Sequence, residues 1–171
     1  VATDTSFPEV LKLLWSRLSF RHLAIGGALN AFAGYSSSNW TASFMIRSHD
    51  MSTGELGTWL ALIMGVGGAI GVFWGSYIAE RLAKFDVRWY MWMPTITGMI
   101  CVPFMIATYV VEGAYTALIV SVVPGILFNV YLGNSLAMTH ALVGLRMRAV
   151  ASAILFFLIN LIGMGLGPWG V

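Results

Sequence analysis

Five stretches of the chain, approximately 23–46, 57–79, 89–111, 114–139 and 149–170, are apolar over most of their length and carry no charged side chain. Backbone N–H and C=O groups in a bilayer must pair internally, which leaves helices and closed barrels as spanning structures. Barrel strands would be about half as long and would alternate apolar with polar residues. These stretches do not alternate. At 1.5 Å rise, a helix of about 22 residues covers roughly 33 Å, enough for a hydrocarbon core near 30 Å. The pattern predicts an all-α fold, a polytopic membrane helix bundle of about five transmembrane helices.

The first twenty residues form a separate element. Ser6, Pro8 and Glu9 look like a capping box with proline in the first turn, ahead of Val10, Leu11, Leu14, Trp15 and Leu18. Lys12, Arg17 and Arg21 are interleaved with them, as in a short amphipathic helix lying in the headgroup region. The expected organisation is therefore 1–20 as an amphipathic lead-in and 21–171 as one transmembrane domain. The chain starts at Val1 without the features of a signal peptide and stops in an apolar run at Val171, so it reads as a fragment.

Composition sharpens this reading. Of 171 residues, 58% are hydrophobic and 9% are charged, against about 25% charged in a soluble domain. That excludes an ordinary soluble globule and a disordered chain, and no basic patch for nucleic acid is present. Cys101 is the single cysteine, so an internal disulfide and a cysteine metal cage are both excluded. No cofactor or metal site is expected.

The basic residues matter by position. Lys12, Arg17 and Arg21 precede the first span; Arg81, Lys84 and Arg88 lie between the second and third; Arg146 and Arg148 lie between the fourth and fifth. These regions fall on one side of a membrane crossed five times, and the other side holds only Arg47, with His49, Asp50, Glu55 and Glu112. The Lys/Arg excess marks cytoplasmic loops, so the expectation is an integral protein of the plasma (inner) membrane with a cytoplasmic N-terminus.

Two features of the second span carry the sequence further. Gly67, Gly71 and Gly75 recur every four residues on one helix face, a spacing that admits close approach by another helix. After them comes Ser76-Tyr77-Ile78-Ala79-Glu80-Arg81-Leu82-Ala83-Lys84. This segment resembles the loop signature Gly-x-x-x-Asp-Arg-x-Gly-Arg of the major facilitator superfamily, with Ser76 and Ala83 at the glycine positions, Glu80 as the acid, and Arg81 and Lys84 as the bases. Further segments, Phe20-Arg21-His22-Leu23, Ser52-Thr53-Gly54-Glu55, Arg88-Trp89-Tyr90 and 146–163, are similar to spinster-type transporters of that superfamily. The resemblance runs over nearly all of 20–170. It implies the C-terminal six-helix half, helices seven to eleven of twelve, with residues 1–20 as the end of the central linker and the other half of the chain as partner. Gly163-x3-Gly167-Pro168 also resembles the antiporter signature of first halves, which leaves a first-half assignment open.

Polar residues inside spans are functional candidates, because hydrocarbon offers them no partner. Asn30, Gly34, Ser37 and Thr41 form one stripe of the first span, and Tyr35 with Asn39 forms another. Gly125, Asn129, Gly133 and His140 align in the fourth, with Tyr131 and Ser135 on a different face; Ser152, Asn160, Gly163 and Gly167 align in the fifth. The resemblance turns Asn30, Tyr35, Asn39, Asn129, Tyr131 and Asn160 into the wall of a substrate cavity, and Glu80, Arg81, Lys84 and Arg146 into a cytoplasmic gate. On the residues alone, the asparagines serve equally as interhelical glue, and Glu80 with Lys84 as an i,i+4 pair. Pro103 and Pro124 mark kinks that are either static or hinges. No Asp or Glu lies deep in a span, so in a proton-coupled transporter the coupling carboxylate would belong to the other half.

The function these features imply is a secondary active transporter, not an enzyme, that moves a small organic or amphiphilic, lipid-like substrate by alternating access. An intramembrane enzyme would need a His-Glu-x-x-His or Gly-x-Ser-x-Gly pattern, which is missing, and a structural subunit would not need polar stripes in three spans. The charge bias yields a topology prediction. In a Cys101→Ala background, Lys84→Cys should be shielded from an impermeant thiol reagent applied outside, and His49→Cys should react; the opposite pattern would contradict the orientation.

Overall fold

A computed structural model describes residues 7–167, and among them there is no strand. Eight α-helices follow in order: α1 Phe7–Ser16, α2 Leu18–His49, α3 Thr53–Ala61, α4 Gly68–Ala83, α5 Trp89–Val110, α6 Ala114–Leu127, α7 Val130–Ala141 and α8 Arg148–Leu166. A π-helical turn, Leu62–Gly67, joins α3 to α4, and a 3₁₀ turn, Leu145–Met147, precedes α8. Four helical stretches are long and apolar enough to cross a membrane: Thr53–Ala83, Trp89–Val110, Ala114–Ala141 and Leu145–Leu166. They overlap the last four expected spans. The first expected span lies within α2, whose 32 residues extend about 48 Å at helical rise. Length is ample there, and the run Ser36-Ser37-Ser38-Asn39 with Asn30 and Thr41 is what lowers its hydropathy.

The helices divide between two compact units, 1–36 with 135–171 and 37–134, so that α2 and α7 each contribute to both. In the first unit, α8 is the centre. Val10 and Leu14 of α1 are fully buried, and α1 packs on α8. Val10 and Leu14 are thus packed on protein, while Trp15 and Leu18 are exposed. Ser6 of the capping box lies outside the described residues. Against α8 also runs α2. A Cβ on Gly163 would stand 2.6 Å from that of Ala31, and one on Gly167 would stand 3.1 Å from the carbonyl oxygen of Phe32. Contacts advance in the same direction along both helices, so α2 and α8 are parallel, as an alternating chain with three spans between them requires. Ser36 Oγ completes the seam by donating to the Gly167 carbonyl.

The second unit repeats the arrangement with different helices. Gly67 and Gly71 lie against Ile126, Gly75 against Val130, and Ser76 against Gly133. The second and fourth spans are thus parallel neighbours, and the glycine stripe read from the sequence is the contact surface. A Cβ on Gly71 would collide with the backbone carbonyl of Ile126. A backbone cannot yield as a flexible side-chain end can, so only glycine fits there.

That carbonyl belongs to a local break. The expected fourth span is continuous over 114–139, but the structure interrupts it at Phe128 and Asn129, between α6 and α7. The Asn129 N–H bonds the carbonyl of Ile126, three residues back, and its side-chain Nδ2 donates to Gly125, the acceptor that the backbone N–H would have used in a regular helix. A side chain thus substitutes for the lost ladder bond. Pro124, which supplies no N–H of its own, lies in the turn before.

At the end opposite the basic loops, α2 closes on Asp50 in the left-handed region, φ 51°, with the Met51 N–H reaching back to the Met45 carbonyl at 3.4 Å. Both methionines are buried in one core with Leu56, Ile63 and Leu118. Ser52 then accepts from the Glu55 N–H at 3.3 Å and starts α3.

Overpacking a close helix contact costs about 1–3 kcal/mol. Gly71→Ala should destabilise the protein by at least that much in thermal unfolding in detergent, whereas Gly98→Ala, at an α5 position where a Cβ would meet nothing within 4 Å, should change stability by less than about 1 kcal/mol. Equal effects would show that the glycine seam is not the tight contact.

Candidate functional site

The six candidate cavity residues are shared between the units. Asn30, Tyr35 and Asn160 belong to the first; Asn39, Asn129 and Tyr131 belong to the second. The first group contains a built polar pair. Tyr35 Oη donates to Asn160 Oδ1 at 3.0 Å, and Asn160 Nδ2 donates to the Phe156 carbonyl at 2.8 Å. Both residues are exposed at the surface of their unit. Their hydrogen bond therefore crosses from α2 to α8 without being sealed in the packing. Asn30 is half-buried, and its Oδ1 is buried with no partner among the described residues.

In the second group, Asn129 holds the α6–α7 break and sets its side chain against Gly68 of α4. It is a half-buried residue with a local partner, a different setting from that of exposed Asn160. Asn39 is exposed and Tyr131 half-buried, and each has an interaction of its own. Thr41 and Tyr109 share a 2.7 Å hydrogen bond that links α2 to α5 within this unit.

The gate candidates Glu80, Arg81 and Lys84 stand at the C-terminal end of α4, all exposed. The Arg81 guanidinium lies 4.7 Å from the centre of the Tyr77 ring, a cation–π contact one helical turn back. Tyr77 meets Trp74 edge-to-face at 5.9 Å, so an aromatic strip leads up to the cation. Arg146 occupies the turn before α8, exposed, in the other unit. Ser76, where the signature has glycine, is accommodated because the residue facing its hydroxyl is Gly133.

Sequence reasoning missed Asn134. Its side chain is fully buried and neither amide atom has a partner among the described residues. The signal was available, since an asparagine in an uncharged span is conspicuous, but Asn134 falls off the stripe that Asn129 and Gly133 define. His140, at the end of α7, shares a 2.7 Å hydrogen bond with Ser152 in the first turns of α8, and so ties together the two ends of a basic-side loop.

No family model and no solved structure matches the chain. It is 31% identical over 153 residues, 90% of its length, to an MFS-type efflux pump of Mycolicibacterium smegmatis, and it spans about a third of that protein, 35%. The likeness supports membership of the major facilitator superfamily. With four helical stretches long and apolar enough to cross a membrane, it also supports an integral membrane protein.

Proposed function

We propose that the chain is part of a secondary active transporter that moves a small organic or amphiphilic, lipid-like molecule by alternating access, with a spinster-like sequence and the C-terminal half as its place in the protein. The observation that carries this reading is the similarity over 90% of the chain to a protein named as an efflux pump, which favours export as the direction. The parallel helix pairs, α2 with α8 and α4 with α6–α7, are consistent with it, because a half that rocks as a unit needs close internal seams.

In this reading Asn30, Tyr35, Asn39, Asn129, Tyr131 and Asn160 border the substrate path. The Tyr35–Asn160 pair is its best-formed element: an exposed phenol and amide that satisfy one another can exchange that bond for one to a substrate. Glu80, Arg81, Lys84 and Arg146 act at the cytoplasmic end. Their charges are exposed, so they shift an equilibrium between open and closed states without building a core. The N-terminus is cytoplasmic, the membrane is the plasma (inner) membrane, and any proton-coupling carboxylate lies in the remainder of the protein.

Cells expressing the protein that contains this chain should accumulate less of at least one fluorescent amphiphilic dye, ethidium among those tried. Asn160→Ala should weaken dye export several-fold with the melting temperature nearly unchanged, because an interhelical hydrogen bond in a membrane is worth only about 0.6 kcal/mol. Glu80→Gln and Arg81→Ala should slow export while insertion is preserved. Normal export by all three variants, or loss of stability in Asn160→Ala with export intact, would overturn the assignments.

A further inference from the structure

The start of α8 lacks the devices that usually hold a helix end. Its N-cap, Met147, makes no side-chain cap hydrogen bond, and its first turn has no acid. Arg146 and Arg148 stand there instead, both exposed, two cations at the end where the macrodipole favours negative charge. In the α7–α8 loop that leads into it, the bonds from the Leu142 N–H to the Thr139 carbonyl and from the Met147 N–H to the Gly144 carbonyl are local, and neither joins the two ends. Val143 is buried, but beyond it Gly144, Leu145 and Arg146 are exposed, Leu145 by 77%.

The bond that joins the ends is the one between His140, in the last turn of α7, and Ser152, in the second turn of α8, with Nε2 and Oγ 2.7 Å apart. Both residues are half-buried, and both belong to the first unit. Counting protons gives the direction of the bond. A serine hydroxyl has one proton and two acceptor lone pairs, and Ser152 Oγ donates its proton to the Arg148 carbonyl, one turn back, at 2.9 Å. It therefore accepts from His140, whose Nε2 is the protonated nitrogen. The back-bond to Arg148 also holds the hydroxyl in one orientation, so the acceptor is set in place for the imidazole.

We propose that His140 is a positioning residue for the cytoplasmic gate: through Ser152, its Nε2–H clamps the start of α8 to the end of α7 and so fixes where Arg146 is presented. The consequence for transport rests on reading Arg146 as a gate residue; the clamp itself does not. The first N–H groups of a helix have no intrahelical partner, and a start without cap or acid frays. Fraying of α8 would swing Arg146 and Arg148 through a wide range of directions. The clamp acts four residues into α8, so it holds the whole uncapped turn between itself and the loop. A charge shifts an equilibrium between open and closed states only through contacts that differ between them, and a fixed position is what makes those contacts differ.

The test uses the full protein that contains this chain, with Cys101→Ala and a nitroxide label on Leu145→Cys, read by electron paramagnetic resonance. His140→Ala and Ser152→Ala should each raise the mobile fraction of the label about fivefold, the effect of losing one hydrogen bond. Both together should do little more, because they remove the same bond. His140→Gln should restore the wild-type spectrum, since its amide carries an N–H donor at about the reach of Nε2. Ser152→Ala deletes a single oxygen, which keeps the test open if the histidine variants fold poorly. Unchanged mobility in Ser152→Ala overturns the clamp, and a glutamine variant as mobile as the alanine one overturns the donor assignment. Dye export gives the second readout: in both alanine variants its maximal rate should fall to that of Arg146→Ala, with the dye concentration for half-maximal export unchanged. A mobile loop with a normal export rate would keep the clamp and overturn the gate reading of Arg146.

Discussion

A backbone carbonyl pressed against a glycine sets the geometry of the second unit. Lipid tails are as apolar as leucine, so burying apolar surface gives helices in a membrane little reason to associate, and association depends on how closely they fit. Gly71 allows α4 to meet the carbonyl of Ile126, and Gly67 and Gly75 hold the same seam on either side. The same carbonyl accepts the Asn129 N–H where the helix is interrupted, and the Asn129 side-chain amide bonds the Gly125 carbonyl one residue earlier. The first unit solves the same problem with Gly163 against Ala31. The partners lie two spans apart in the second unit and four in the first, and both pairs run parallel, which is the relation that alternating passage through a bilayer produces between such spans.

Much of this was legible in the residues. Uncharged apolar stretches located the helices α3 to α8, since only helices and barrels satisfy a backbone in hydrocarbon. The spacing of Gly67, Gly71 and Gly75 located a close contact. Its partner was not legible, because periodicity on one helix says nothing of which other helix lies opposite. The break at Asn129 was also hidden. Pro124 suggested a kink, yet the interruption comes four to five residues later, where a side chain competes for a carbonyl. The apolar residues of α1 divide, Val10 and Leu14 being buried and Trp15 exposed, and amphipathicity alone cannot distinguish a lipid from a helix as the surface that takes each of them.

The candidate site divides along a similar line. Asn160 and Tyr35 were picked from separate polar stripes and come together in one hydrogen bond. Asn129 was picked by the same reasoning and turns out to serve its own helix first. Asn134, with a wholly buried amide that has no partner among the described residues, escaped because it lies off the stripe of Asn129 and Gly133. What separates these asparagines is exposure and partner, and neither can be derived from helical phase. The charged end of α4 adds a feature that the signature resemblance does not contain: Arg81 rests on Tyr77, so the cation is held by an aromatic strip on its own helix.

The central claim is that the polar pair on α2 and α8 borders a water-filled path. Water access at position 160 tests this most directly. In a Cys101→Ala background, Asn160→Cys in the membrane-inserted protein should react with a small, charged, membrane-impermeant thiol reagent. Leu161→Cys, about 100° around the same helix, should not. Reaction at neither position, or equal reaction at both, would show that Asn160 lies in packing or in lipid and would contradict the account.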